Sequence, residues 1–186
     1  MRKLAQALGV EAMSLYNHVA NKDDIVDGIL DLVAGEIEAP VAGGDWKATL
    51  RAASLAAHEA FSRHPWAAGI WMSAGTMSTV RMRHADGVLR CLAEAGFSED
   101  LTYHAYHVLQ GYELGFTLQE LNFPYGREEL ERLATRFLRD FPSDEYPHLA
   151  EHVRQHSEPR EDGPGEFEFG LDLILDGLDR LRAAAR

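Results

Sequence analysis

The chain has 186 residues, with 18 basic against 30 acidic side chains and a formal charge of −12. With 46% hydrophobic residues it has enough apolar surface for one core-bearing domain and a small appendage. The single cysteine, Cys91, excludes an internal disulfide and reads as a small buried residue, and no apolar run has the length of a membrane span.

The pattern is helical from end to end. Leu4, Ala5 and Leu8 form a short apolar stripe at helical spacing, Gly9 breaks it, and Val10 fills the corner before a second short helix. From Ala12 to Val19 only Leu15 and Val19 keep a buried i, i+4 line, which leaves Ser14, Tyr16, Asn17 and His18 as an outward polar face. Asn21, with Asp24 three residues on, caps a third helix over 22–37, whose stripe is Ile25, Ile29, Leu32 and Val33. Pro40 and Gly43-Gly44 then mark a boundary between a head, residues 1–39, and a body, residues 45–186.

In the body, Asp45 caps a helix that runs to Arg63 and stops at His64-Pro65. Trp66 to Ser73 is short and apolar, Ser78 to Ala95 is long and ends at Gly96, and Ser98 caps a helix running to about Leu121. A further helix covers 128–139. Residues 140–168, rich in proline and acid, read as a loose connection around one short helix, and a last helix covers 167–185. No strand pattern and no internal repeat is present, so the fold class is all-α.

The opening segment, LAQALGVEAMSLYNHVANK, resembles the tetracycline-repressor family of bacterial transcription factors. Leu4-Ala5, Leu8-Gly9-Val10, Leu15-Tyr16, His18-Val19 and Asn21-Lys22 all stand at the spacing of that family's signature. The body is similar too, from Asp45-Trp46 through His64-Pro65 and Ala95-Gly96-Phe97 to the run Phe167–Leu178. The resemblance implies a ligand-responsive repressor whose helix-turn-helix reads operator DNA through Arg2, Ala12, Met13, Ser14, Tyr16, Asn17, His18 and Lys22. It also implies a helix ahead of the position of Met1, so the head is expected to be incomplete and Leu4, Leu8 and Leu15 to lack a packing partner. The charge partition agrees with a DNA-facing head: residues 1–22 hold three basic and one acidic side chain, and the remainder fifteen and twenty-nine.

The family's dimer interface is a four-helix arrangement. Here it implies Gly111 and Gly115, small residues one turn apart, and Phe167, Leu171, Ile174 and Leu178 on the last helix; the residue pattern alone is equally served by a wide core helix. Tyr103, Tyr106, His107 and Gln110 recur at i, i+3, i+4, i+7 and make a face too polar for a dry core. With Phe61, Trp66, Trp71 and Met72 they are the expected effector pocket. Aligned on Ala95-Gly96-Phe97, the family's metal-coordinating histidine falls at Trp71 or Met72 and its metal-linked glutamate at Gln119. Magnesium–tetracycline is therefore not the expected ligand, and a flat, partly apolar organic molecule is. No cofactor and no resident metal are expected.

Two alternatives stay open. His148, Glu151 and His152 spell H-x-x-E-H, a zinc-hydrolase pattern that His156 extends by a turn, although only 34 residues follow His152 to supply a further ligand and a cleft. The other is a dimeric small-molecule-binding protein that does not bind an operator. With no charged-then-apolar leader at its start, the chain is expected in the cytoplasm.

Overall fold

The computed structural model describes residues 1–71, 77–122, 125–155 and 165–185, and every regular element among them is a helix. In chain order they are α1 Arg2–Leu8, α2 Ala12–Leu15, α3 Lys22–Gly35, α4 Trp46–Arg63, α5 Pro65–Trp71, α6 Thr79–Glu94, α7 Glu99–Asn122, α8 Arg127–Arg139, α9 Pro147–Gln155 and α10 Glu166–Ala184. None of the described helices is long and apolar enough to cross a membrane.

Local signals set most boundaries. Gly9 ends α1 in the left-handed region at φ 68°, and Gly96 follows α6 at φ 88°, conformations that cost a side chain but not glycine. Asn21 Oδ1 accepts from the amides of Asp23 (2.7 Å) and Asp24 (3.0 Å), while Asp24 Oδ2 accepts from the Ala20 amide at 2.8 Å, so α3 starts on a reciprocal cap. The Asp45 carboxylate does the same for Lys47 (3.0 Å) and Ala48 (3.3 Å), and the Ser78 and Ser98 hydroxyls accept from Arg81 and Leu101.

Two expected spans shorten. The second helix of the head closes at Leu15, not Val19, because the amides of Tyr16, Asn17 and His18 bond three residues back and tighten the chain into turns. Helix α3 ends at Gly35, with Glu36 and Ile37 continuing through i−3 bonds. In the head α1 and α2 pack on each other around Ala5, while Leu8 remains 59% exposed and Leu15 half-buried.

The body has two packed clusters. One unites α4, α6, α7 and α10 through Trp46, Leu50, Leu92, Leu109, Leu171 and Leu175; the other joins α3, α4, α5 and α7 through Leu30, Val33, Phe61, Ala67 and Leu114. Each fully buried leucine contributes about 2 kcal/mol, so these contacts, more than helix propensity, hold the bundle. The link between head and body is packed as well. A methyl group added at Gly87 of α6 would stand 2.8 Å from the Pro40 carbonyl oxygen, so only glycine lets the linker lie this close. Outside the clusters, α4 is tied to α10 by Arg51 bonding Asp172 (2.7 Å) and Glu168 (3.0 Å) and by the Lys47–Asp176 pair.

Candidate functional site

A cavity of about 350 Å³ opens where the two clusters meet. Leu50, Val88 and Leu109 reach it from one side, and Ile37, Ala57, Phe61 and Leu114 from the other, with Trp71 closing one wall edge-to-face on Phe61 at 5.1 Å. Into this apolar lining project Ser54 from α4, Arg81 and His84 from α6, and Tyr106, Gln110 and Glu113 from α7. Burying so many polar groups beside a core is costly unless they are paired or await a ligand.

Their states differ. Gln110 Nε2 donates to the Tyr106 hydroxyl at 3.4 Å, and burial raises the pKa of that phenol, keeping it protonated. His84 Nδ1 is buried with no hydrogen-bond partner among the described residues, and burial lowers the ring's pKa, favouring neutral imidazole. Burial also pushes the Glu113 carboxyl up to about 7, against a partial counter-effect from its hydrogen bond to Ser54. Arg81, only 7% exposed, leaves the cavity wall for α3: its Nη2 donates to Asp27 at 3.1 Å and its Nε to Asp31 at 3.3 Å, while the guanidinium carbon lies 5.9 Å from the Trp71 ring centre.

Glu113 makes a stability test possible. Between about 4.5 and 7 the folded chain keeps a proton that the unfolded chain releases, so this group's contribution is full below the lower value and is lost as pH rises through the window. Glu113→Gln should match the wild type near pH 4 and exceed it by up to about 3 kcal/mol above pH 7. Denaturant midpoints for the two proteins at both pH values check this; a difference that does not change with pH contradicts it.

Of the expected pocket residues, Phe61, Trp71, Tyr106 and Gln110 line the cavity. Tyr103, His107 and Trp66 do not. Tyr103 is 60% exposed and its ring lies 4.3 Å from that of His107 at a tilt of 43°, and His107 Nδ1 bonds the Tyr103 carbonyl oxygen, because these two follow the outer line of α7 that leads to Gly111. Trp66 is also exposed, at the start of α5 beside His64. Met72 lies outside the described residues. Arg81, His84 and Glu113 escaped the sequence reading. Their signal was there: His84 shares a stripe with buried Val88 and Cys91, and Glu113 continues the Tyr106–Gln110 line by one turn.

The head presents Arg2, Met13, Tyr16, Asn17, His18 and Lys22 to solvent, with Ala12 and Ser14 half-buried. For the expected dimer residues the structure divides α10 differently. Phe167, Leu171 and Leu178 are buried in this chain's own core and Ile174 packs against it, so the side facing outward carries Phe169 and Leu173 instead, 59% and 56% exposed. Gly111 and Gly115 on α7 are open, with no atom within 4 Å of an added methyl group.

In the histidine row, Glu151 is held by Arg154 at 2.8 Å, His148 is exposed, and His156 lies outside the described residues. No group of three His, Cys, Asp or Glu side chains able to hold a metal ion occurs among the described residues. Gln119 is exposed and away from the cavity lining.

Residues 39–182 match the family model described as the tetracyclin repressor-like C-terminal domain. The chain is 30% identical over 197 residues to the HTH-type transcriptional repressor DrrR1 of Streptomyces coeruleorubidus, spanning 100% of this chain and 72% of that one. It is 31% identical over 190 residues to the tetracycline repressor protein class A from transposon 1721 of Escherichia coli, spanning 100% and 83%. Among solved structures, it is similar to the TetR family protein ActR of Streptomyces coelicolor in complex with actinorhodin, with a TM-score of 0.77, 25% identity, and coverage of 98% of this chain and 87% of that one.

Proposed function

This chain belongs to the tetracycline-repressor family of transcriptional regulators, and from that premise we propose that it is a dimeric repressor released from its operator by a small organic molecule bound in the α4–α6–α7 cavity. The observation that carries the reading is Arg81, which lines the cavity and bonds two carboxylates of α3, the helix that begins at the DNA-reading segment. It is a regulator and not an enzyme, as its relatives are. ActR is known in complex with actinorhodin, and the apolar lining of the cavity here, edged by Trp71, Phe61 and Tyr106, suits a flat organic effector.

Residues 1–39 are the reading head in this scheme and 45–186 the effector and dimerisation body. Tyr16, Asn17 and His18 meet base edges, and Lys22, with the amides that open α3, meets phosphate. The dimer forms through the outer faces of α7 and α10, at Gly111, Gly115, Phe169 and Leu173. An exposed apolar strip of this kind is what a partner covers, and two heads about 34 Å apart are needed to read both half-sites. Effector binding shifts Arg81, Arg81 carries α3, and the two heads leave register. Linkage requires operator DNA to weaken effector binding by the same factor. Reading DNA places the protein in the cytoplasm.

Enrichment from a random duplex library, followed by fluorescence anisotropy on the selected sequence, tests the reading. The expected product is a two-fold symmetric site, bound roughly tenfold or more weakly by Tyr16→Ala and by Lys22→Ala, with the dimer unchanged. No enrichment, or equal affinity in both variants, would overturn the assignment of this face.

A further inference from the structure

Resting on the reading of the cavity as the effector site, we infer that the effector is a flat aromatic molecule bearing a basic amine, whose ammonium group is received by Glu113 and His84 between the rings of Tyr106, Phe61 and Trp71. The charge inventory around the cavity leads there. Among the described residues lining it, Arg81 is the one cation, and its guanidinium is taken by Asp27 and Asp31 of α3, two carboxylates to one positive charge. From α4 the lining offers Glu113 only the Ser54 hydroxyl; from α5, Trp71; from α6, Arg81 and the uncharged His84; from α7 itself, Tyr106 and Gln110.

Glu113 is therefore a buried carboxyl whose one assigned side-chain partner is a hydroxyl, and it lines the same cavity as an imidazole nitrogen with no partner among the described residues. An anionic effector would meet an acidic surplus, and an uncharged one would leave the carboxyl without a counter-charge. An ammonium group has three donors, enough for the carboxylate and for His84 Nδ1 in its accepting tautomer, and aromatic faces stabilise the cation further.

A cation beside Glu113 favours its ionised form, so binding draws the carboxyl back toward the ordinary range and releases a proton wherever the free protein still holds one. Affinity should thus rise with pH up to about 7 and level off above it.

The probes are 2-(2-aminoethyl)acridone, whose primary amine is an ammonium group throughout this range, and acridone, the uncharged parent on the same three-ring frame. Each is titrated into the full chain with quenching of tryptophan fluorescence as the readout and Trp71→Phe as the locating control. At pH 8 the amine is expected to bind roughly ten- to hundredfold more tightly than acridone, and to lose that advantage in Glu113→Gln while acridone binds as before. The pH dependence of the unmodified protein gives the same answer without relying on the variant's folding. Equal binding of the two probes, or a preference that survives in Glu113→Gln, overturns the amine inference and leaves the cavity reading standing. Binding of neither probe, or quenching unaffected by Trp71→Phe, overturns the cavity reading and the inference together.

Discussion

Leu173→Glu should convert the protein from dimer to monomer and lower its affinity for a two-fold operator by at least two orders of magnitude. Leu173 and Phe169 project from α10 on the side away from the core, so the substitution disturbs nothing inside the chain. In an isologous interface each such change occurs twice about the same axis, which sets two carboxylates in an apolar seam. Loss of the dimer separates the half-sites, and each head then binds with the energy of one. Sedimentation equilibrium at micromolar concentration decides the first part and operator anisotropy the second, with circular dichroism confirming an unchanged helix content. A wild-type chain that sediments as a monomer, or a Leu173→Glu variant that remains a dimer, would contradict this face. The opposite expectation holds for Leu171→Glu, which would place a charge in the core and unfold the body.

Arg81→Met should lower stability by about 3 kcal/mol, equivalent to a fall of about 6–12 °C in Tm for a domain of this size. The methionine keeps most of the buried volume but leaves Asp27 and Asp31 facing each other across one turn without their shared cation. Those carboxylates are 20% and 29% exposed, which puts the cost toward the low end for a broken buried pair. Asp31→Asn is the milder companion: it leaves the cavity lining intact, weakens the tie between α6 and α3, and should keep operator affinity while blunting release by the effector. Thermal unfolding measures the first effect. A Tm for Arg81→Met within about a degree of the wild type would show that the cluster carries little of the contact between α3 and α6.

The two predictions come from different levels of information. Helix boundaries were legible in the residues because the signals that set them are local: Asn21, Asp45, Ser78 and Ser98 satisfy amides two or three positions away, and Gly9 and Gly96 adopt a conformation that glycine reaches without strain. The short second helix was the exception, since nothing at Tyr16–His18 marks the change from α-helical bonding to turns. Part of the cavity was legible too, at Tyr106, Gln110, Phe61 and Trp71, where aromatic and polar side chains interrupt apolar stripes.

What remained hidden concerned orientation. A helix with apolar residues on more than one side, such as α10, does not say which stripe turns inward, and Phe167, Leu171 and Leu178 went to the core because α4 and α7, over forty residues away in the chain, lie on that side. By the same logic Tyr103 and His107, on one helical face with Tyr106 by spacing, ended outside, since that face spans more than the cavity's width. His84 and Glu113 carry only a weak local signal, their helical spacing to Val88 and to Tyr106, and Arg81 carries none; only enclosure by several helices makes a buried ion cluster and a raised carboxyl of them. The sequence alone determined the all-helical class, the reading motif and the family; tertiary packing decided which face of α10 is free, how far the cavity extends and where its charges lie, because burial depends on neighbours that no local stretch of chain contains.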